Sequence, residues 1–246
     1  MRLFCFPHAG AGGVVFKAWI DSFPPTLDVC AIELPGKMTR RRDPSANSMR
    51  ELVETLDAAL TPYLDLPFAV FGYSLGALTA FEWCKIVRRR HQREPESIMV
   101  AASAAPHLAP GIEPISHLPQ AEFLRVVERR YGALDAVLRA EPELLALISD
   151  VLRRDLKILE SYRCEPDRPF ACPIVAMGGT KDPRASGELL SAWQHHTTEP
   201  VKVAMFEGEH LFLRTRPAEL AATVKQHADE AVERLLARKG SILQTW

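Results

Sequence analysis

Residues 72–76 have the sequence GYSLG, which matches the G-x-S-x-G pattern typical of a serine nucleophile. The pattern follows a short apolar run, Phe68–Phe71, and precedes a helical pattern that begins at Leu75. A serine on a strand-to-helix turn adopts strained backbone angles, so small neighbours are needed to avoid clashes. The N-terminus of the following helix favours negative charge that develops beside it. The sequence therefore predicts Ser74 as a nucleophile, the alternative being a chance glycine-serine turn.

A serine nucleophile requires a base, and the base requires a carboxylate that orients it. In folds with this turn, the order along the chain is serine, acid and then histidine. Seven histidines follow Ser74, but only His210 comes directly after a late apolar run, Val201–Phe206, and before the last helical pattern. The others lie inside helical patterns or in a segment without strands. We therefore predict that His210 is the base.

The orienting acid should also follow a strand. Asp182 comes after an apolar run and a glycine turn, 28 residues before His210, which leaves room for one helix and one strand. Some folds of this kind take the acid from the preceding strand, but no carboxylate follows Ser97–Ala104 until Glu113. Asp155 lies within a helical pattern and is interpreted as structural. The sequence predicts Asp182 as the acid, the alternative being a turn-forming Asp-Pro pair.

Two backbone donors are needed for the oxyanion of an acyl-transfer reaction. The amide of Leu75, directly after the nucleophile, is one candidate. The second should come from the loop after the first strand, where residues 6–13 have the sequence FPHAGAGG and glycines allow close approach of the backbone. We predict that Ala9 N–H is this donor. The loop lacks G-x-G-x-x-G spacing, and no His/Cys/Asp cluster has ligand spacing, so neither a dinucleotide cofactor nor a metal is predicted.

Six short apolar runs alternate with longer helical patterns. The predicted strands are Arg2–Pro7, Asp28–Leu34, Phe68–Gly72, Ser97–Ala104, Pro173–Gly179 and Val201–Gly208. The predicted helices are Ser48–Leu64, where Ser48 and Glu51 form a capping-box pattern, Leu75–His91, Glu188–His196 and Pro217–Arg238. Several runs are apolar throughout, which is typical of strands buried on both faces. The alternation predicts an α/β fold with a mostly parallel sheet and helices on both faces.

Residues 107–165, the inserted segment, interrupt this alternation. They begin with a loop that contains Pro110, Pro114 and Pro119, and no convincing strand follows. Helical patterns are predicted at Gln120–Tyr131, Leu134–Arg139 and Glu143–Tyr162. We therefore predict one catalytic core, formed by residues 1–106 and 166–246, with the inserted segment between its two parts.

The composition of the 246 residues, 47% hydrophobic and 25% charged, is typical of a globular protein and excludes disordered, collagen-like and coiled-coil classes. The formal net charge of −1 gives no indication of a nucleic-acid partner. The basic runs at residues 40–42 and 88–90 are interpreted as solvated faces. The cysteines, five in number and without CxxC spacing, are expected to be reduced and mostly buried. Without a secretory signal or a membrane span, a cytoplasmic protein is expected.

Segments along nearly the whole chain resemble the type II thioesterases, the stand-alone α/β-hydrolases that serve polyketide synthases and nonribosomal peptide synthetases. The similar segments are residues 4–10 (opening strand and oxyanion loop), 33–37 (the Leu-Pro-Gly-Arg turn), 72–77 (the nucleophile turn), 154–156 and 160–162 (the second lid segment), and 172–182 and 208–213 (the acid and histidine regions). The chain departs from the family pattern at Tyr73 and Leu75, where His and Met are common, at Lys37, where arginine is usual, and at residues 10–13. None of these departures removes a catalytic atom.

This resemblance implies an α/β-hydrolase fold in which the inserted segment is a helical lid over the acyl site. It implies hydrolysis of thioesters through an acyl-serine on Ser74, without a cofactor of the enzyme's own. The acyl group would arrive on the phosphopantetheine of an acyl carrier or peptidyl carrier protein domain, and the role would be removal of stalled or aberrant acyl units. We expect a monomer. Three alternatives stay open: a carboxylesterase, an acyltransferase or cyclase with the same triad, and a non-catalytic α/β-hydrolase that serves as a binding module.

Overall fold

A computed structural model describes residues 1–108, 113–132 and 141–243 of the chain. The predicted helix Leu134–Arg139 and the loop position Pro110 lie outside the described residues. The strands are β1 Arg2–Phe6, β2 Asp28–Ala31, β3 Phe68–Tyr73, β4 Ile98–Ala101, β5 Ile174–Gly179 and β6 Lys202–Phe206. The helices are α1 Lys17–Ser22, α2 Met49–Leu60, α3 Leu75–His91, α4 Gln120–Tyr131, α5 Pro142–Ser161, α6 Gly187–Ser191, α7 Phe212–Thr215 and α8 Pro217–Leu243.

The strands form one sheet in the order β2-β1-β3-β4-β5-β6, and every pairing is parallel. All six predicted strands are present, with ends that differ by at most three residues, and the predicted mostly parallel sheet is confirmed. The chain runs outward from β1 to β2 and then crosses to β3 on the other side of β1. In open α/β sheets, ligands bind at the carboxyl ends of the strands where the order reverses in this way. The crevice between β1 and β3 is therefore the expected location of a site.

The central strands are buried on both faces because helices cover both sides of the sheet. Successive side chains of a strand point to opposite faces. Accordingly, Phe4 and Phe6 of β1 belong to one core cluster, and Leu3 and Cys5 belong to another. Trp83 of α3 packs edge-on against Phe4, with ring centroids 5.1 Å apart. The edge strands β2 and β6 are partly exposed, so burial on both faces is restricted to the centre of the sheet.

Most helix starts agree with the sequence signals. Ser48 Oγ accepts a hydrogen bond from the Glu51 amide, as expected of an N-cap. The Glu51 carboxylate accepts from the Asn47 amide at 2.8 Å, one residue before the position that a capping box would give. The helix predicted over 188–196 is present in two parts. Its first part is the α-helix α6, and its second part, Ala192–His196, is a 3-10 helix. The short helices α1 and α7 were not predicted, because neither is long enough to show a helical period.

The inserted segment packs its apolar side chains on the core. Its buried side chains include Phe123, Val127, Leu152, Leu156 and Leu159, which join the cluster that contains Phe6 and Leu75. On its polar side, Glu160 of α5 accepts hydrogen bonds from the amides of Ile115 and Ser116 at 2.7 and 2.9 Å. These contacts fix α5 against the loop that leads to α4.

One surface prediction is wrong. Arg88 is only 6% exposed, because α3 turns this side chain towards the segment that leads to β5. There it pairs with Asp167 at 3.0 Å and lies over the Phe170 ring at 4.1 Å. Its neighbours Arg89 and Arg90 are half-exposed, as predicted. A three-residue run on a helix spans most of one turn, so one of its members faces inward.

The five cysteines are free thiols, and Cys5, Cys84 and Cys172 are buried, as predicted. Within the described ranges, no helix is long and apolar enough to cross a membrane.

Candidate active site

Ser74 lies in a sharp turn between β3 and α3. Its backbone has φ 53° and ψ −113°, which is a strained conformation for a residue with a Cβ atom. A Cβ atom at Gly72 would lie 2.2 Å from the Gly76 carbonyl oxygen, and one at Gly76 would lie 2.2 Å from the Phe6 carbonyl oxygen. The turn therefore tolerates only glycine at these two positions. This is the physical reason for the glycine-serine-glycine spacing of the sequence.

The structure brings Ser74, His210 and Asp182 together in a row. Ser74 Oγ lies 3.0 Å from His210 Nε2, and His210 Nδ1 lies 2.7 Å from Asp182 Oδ2. The three residues follow β3, β6 and β5, whose carboxyl ends meet at one edge of the sheet. His210 and Asp182 are 6% and 3% exposed. The imidazole can therefore donate to the carboxylate through Nδ1 and accept the serine proton at Nε2.

The Asp182 carboxylate is held in its charged form. Burial alone would raise the pKa of Asp182, but the hydrogen bond and charge of His210 outweigh it, with help from Arg184. The Arg184 amide donates to Asp182 Oδ1 at 3.0 Å. The resulting pKa of Asp182 lies below its ordinary value, so the carboxylate is ionised at neutral pH and can orient the imidazole.

The predicted oxyanion donors lie on two neighbouring segments. Leu75 begins α3, and Ala9 lies in the β1 loop, residues 7–13, which passes close to Gly76. In the part of the chain that the structure describes, neither amide donates to another protein group. Other amides of the β1 loop are occupied: Gly10 N–H donates to Asp155 at 2.7 Å and Gly13 N–H donates to Glu33 at 3.2 Å. Ala9 N–H is thus available to a ligand.

Ser74 lies between two cavities. The larger has a volume of about 400 Å³ and is lined by side chains that include Leu78, Leu108, Arg130, Arg184 and Leu189. The smaller, of about 20 Å³, is lined by His8, Ala9, Leu152, Leu156 and Leu211. Ser74, Tyr131, Leu159 and His210 line both cavities. Because Tyr131 and Leu159 belong to α4 and α5, the inserted segment forms part of the walls around Ser74 Oγ.

Three residues of the site, Tyr73, Arg184 and Tyr131, were not predicted. Tyr73, next to the nucleophile, donates from its hydroxyl to the His210 carbonyl oxygen at 2.6 Å and accepts from the Leu213 amide at 3.2 Å. Burial raises the pKa of Tyr73, so the hydroxyl keeps its proton. The Arg184 guanidinium lies over the Tyr131 ring at 4.6 Å, and that ring lies 5.2 Å from the His210 ring. No local sequence pattern indicates these contacts, because they join distant segments.

His8 contributes a neutral ring to the smaller cavity. Burial lowers the pKa of His8 to about 4, although the hydrogen bond to the Ala9 carbonyl oxygen opposes this shift. At neutral pH the β1 loop therefore presents no positive charge from this side chain. Among the described residues, no group of three or more His, Cys, Asp or Glu side chains is arranged to hold a metal ion.

The sequence model of the thioesterase domain family matches residues 1–227. The chain belongs to this family. It is therefore a hydrolase that acts on thioesters, and the predicted α/β-hydrolase fold is confirmed. This thioesterase is 33% identical to the thioesterase PikA5 of Streptomyces venezuelae over 228 residues, which cover 92% of this chain and 80% of PikA5.

Its structure is also similar to that of BorB, described as the type II thioesterase of the borrelidin biosynthetic cluster. The TM-score is 0.83 at 27% identity, over 92% of this chain and 91% of BorB. The resemblance to type II thioesterases of polyketide and nonribosomal peptide pathways, inferred from the sequence, is thus confirmed.

A further relative, LgrE of Brevibacillus parabrevis, is named a linear gramicidin dehydrogenase. It is 32% identical over 225 residues, which cover 91% of this chain and 86% of LgrE. The β1 loop of this thioesterase does not have the G-x-G-x-x-G spacing that binds a dinucleotide, and its Ser74, His210 and Asp182 have the geometry of a hydrolase. That relative's name therefore gives no reason to assign a dehydrogenase activity to this chain.

Proposed function

We propose that this thioesterase hydrolyses acyl groups from the phosphopantetheine thiol of carrier proteins, with Ser74, His210 and Asp182 as its catalytic triad. The observation that supports this most strongly is the row of hydrogen bonds from Ser74 Oγ through His210 to Asp182, at 3.0 and 2.7 Å. Ser74 and His210 line a largely apolar cavity of about 400 Å³, a volume that suits a small acyl ligand.

In the first half of the reaction, Ser74 Oγ attacks the thioester carbonyl carbon and His210 Nε2 takes its proton. The amides of Ala9 and Leu75 donate to the oxyanion that forms. When the tetrahedral intermediate collapses, the carbon–sulfur bond breaks, and the thiol leaves with the proton from His210. Asp182 keeps the imidazole in the tautomer with Nδ1–H and stabilises the imidazolium.

In the second half, water replaces the thiol. His210 Nε2 takes a proton from the water as its oxygen attacks the acyl-serine carbonyl carbon. The same two amides receive the second oxyanion. Collapse breaks the ester bond, the proton returns to Ser74 Oγ, and the free acid leaves. No cofactor takes part in this proposal, and all five groups come from one chain, so a monomer suffices.

The inserted segment, residues 107–165, is proposed to be a lid on a core formed by residues 1–106 and 166–246. Support comes from Tyr131 and Leu159, which line both cavities beside Ser74, and from Leu152 and Leu156, which line the smaller one. Such a lid would exclude water until the acyl chain is bound and would strengthen the electrostatic interactions beneath it.

The proposed biological role is removal of stalled or aberrant acyl units from carrier proteins of an assembly line. The similarity to PikA5 and BorB supports this role, because BorB is described as a type II thioesterase of a biosynthetic cluster. Carboxylesterase activity, transfer to another acceptor and non-catalytic binding are the alternatives.

The test is intact-protein mass spectrometry of a panel of acyl-loaded carrier proteins after incubation with the enzyme. We expect the carriers to lose their acyl mass and the free acid to appear, with a strong preference for carrier-bound thioesters over a soluble oxoester of the same acyl group. Comparable rates on the oxoester would favour a carboxylesterase. An ester or amide product would favour a transferase or cyclase. No turnover, with no labelling of Ser74 in folded protein by a fluorophosphonate, would favour a binding module.

A further inference from the structure

Asp155 of α5 connects the inserted segment to Lys37, which follows β2, and to Gly10 of the β1 loop. Asp155 Oδ2 accepts a hydrogen bond from the Gly10 amide at 2.7 Å and forms an ion pair with Lys37 Nζ, 2.6 Å away. Lys37 also donates to the Ala11 carbonyl oxygen at 3.3 Å. The Lys37 and Asp155 side chains are 4% and 8% exposed, so water does not screen this interaction effectively.

These contacts determine how the β1 loop presents Ala9. Gly10 directly follows Ala9 and has φ +77°, and its amide points to the Asp155 carboxylate. A second carboxylate, Glu33, accepts from the Gly13 amide at the other end of the loop. The loop is therefore fixed at two amides, while Ala9 lines the smaller cavity together with Ser74.

We propose that Asp155 is a positioning residue for thioester hydrolysis, which orients the Ala9 amide through its hydrogen bond to Gly10, and that Lys37 makes this possible by neutralising the carboxylate. The inference rests on the proposed function, because it assigns the oxyanion to Ala9 and Leu75. An oxyanion hole loses much of its effect when a donor is displaced by a fraction of an ångström to one ångström.

The role of Lys37 follows from electrostatics. The Asp155 carboxylate is bonded to Gly10, the residue next to the proposed oxyanion donor Ala9. Without a cation beside it, this carboxylate would repel the negative charge that develops on the oxyanion. A buried carboxylate without a partner is also strongly destabilising. With Lys37 Nζ at 2.6 Å, the pair has no net charge, and Asp155 can act as a hydrogen-bond acceptor without opposing the reaction.

This arrangement couples the inserted segment to catalysis. Ser74, His210 and Asp182 are all attached to core strands, whereas Asp155 belongs to α5. A displacement of α5 away from the sheet would remove the acceptor of the Gly10 amide and leave the triad in place. The oxyanion hole would then be complete only when α5 is seated over the acyl site.

The test measures kcat and KM of four variants on whichever acyl ester or thioester the wild-type enzyme hydrolyses. We expect D155A to lower kcat about 10- to 100-fold and to change KM by less than about twofold. K37M should lower kcat at least as much, because it leaves the carboxylate unpaired. The double variant D155N/K37M, which removes both charges and keeps an acceptor for Gly10, should recover part of the kcat that K37M loses.

Glu82→Gln is the matched control. Glu82 pairs with the buried Lys85 at 2.9 Å on α3, away from both cavities beside Ser74. E82Q should lower the unfolding temperature as D155A does, but leave kcat unchanged.

A wild-type kcat in D155A, or equal kcat losses in D155A and E82Q, would overturn the proposal. If D155A does not fold, the two single variants D155N and K37M are compared with the wild type. A wild-type kcat in both single variants would overturn the proposal. Absence of thioester hydrolysis by the wild type overturns the proposed function instead.

Discussion

The two sides of the site are built differently. On the nucleophile side, Ser74, His210 and Asp182 follow three strands of one parallel sheet, and their mutual hydrogen bonds stay within the core. On the oxyanion side, the β1 loop is fixed by Asp155 from α5, which lies in the inserted segment. The proposed nucleophile and base are therefore held mainly by segments that follow strands of the sheet. The proposed oxyanion donor Ala9 depends in addition on how α5 is seated.

This difference predicts that substitutions on the two sides will affect activity and stability differently. Changes on the nucleophile side should remove chemistry and leave the inserted segment in place. Changes at the contacts between the core and the inserted segment should have smaller effects on activity and larger effects on stability. The following substitutions test this contrast, from the largest expected effect to the smallest.

Ser74→Ala removes the nucleophile and should lower turnover of an acyl-carrier thioester by a factor on the order of 10⁴ or more. The strained turn should remain, since alanine and serine have the same Cβ atom. Steady-state kinetics and circular dichroism provide the measurement and its folding control. Hydrolysis near the wild-type rate by this variant would exclude Ser74 as the nucleophile.

Asp182→Asn should lower kcat by about 10³- to 10⁴-fold, because an amide in place of the carboxylate favours the wrong imidazole tautomer. The variant tests the hydrogen bond to His210 Nδ1 at 2.7 Å. We expect KM to change little and the loss to exceed that of Asp155→Ala by about tenfold or more. Similar losses in these two variants would contradict the contrast between the two sides.

Tyr73→Phe removes the hydroxyl that links the nucleophile turn to the histidine loop. It deletes a donor to the His210 carbonyl oxygen and an acceptor of the Leu213 amide, both buried. Leaving such groups unsatisfied costs about 1–3 kcal/mol of unfolding free energy. We expect a kcat loss of about tenfold and a matching fall in the denaturation midpoint. A midpoint equal to that of the wild type would show that the bond contributes little.

The pH dependence of the unfolding free energy tests the contact between His107 and His196, where the inserted segment begins. His107, at the start of that segment, lies with its Nδ1 2.9 Å from Nε2 of His196. Burial, with smaller effects of His107, His195 and Lys85, lowers the pKa of His196 to about 3. In the unfolded chain a histidine titrates near pH 6.5, so between these values only the unfolded chain binds the proton. Stability is therefore lost as the pH falls through this window.

By pH 5 the loss of stability due to His196 alone should be roughly 2 kcal/mol relative to pH 8. His196→Gln keeps a polar group beside His107 and should flatten the profile by about this amount. Urea unfolding of both proteins at several pH values gives the comparison. Parallel profiles of the two proteins would contradict the assignment.

The nucleophile side could be predicted from the sequence because each of its residues lies within four residues of the end of a strand. Apolar runs locate the strands, and the order of the parallel strands brings their carboxyl ends to one edge. For the same reason, all six strands were found with small errors at their ends. Gly72 and Gly76 add a local steric signal around Ser74.

On the oxyanion side, the glycines beside Ala9 led to its prediction as a donor, and this role stays a prediction. Asp155 was interpreted as structural, and its contact with the β1 loop was not predicted. Its hydrogen bond to Gly10 joins residues 145 positions apart, and no local pattern predicts which loop a helix residue will meet. The Tyr73 hydroxyl and the burial of Arg88 were missed for the same reason: both depend on contacts between distant segments.

In the proposed mechanism, the acyl chain passes from the carrier thiol to Ser74 before water releases it. The most direct test is rapid acid quenching of the enzyme with an excess of acyl-carrier protein, followed by mass spectrometry of the peptide that contains Ser74. We expect a peptide heavier by the acyl group within the first turnover, and no such peptide from Ser74→Ala. Steady formation of free acid with no acyl group on Ser74 at any time would contradict it.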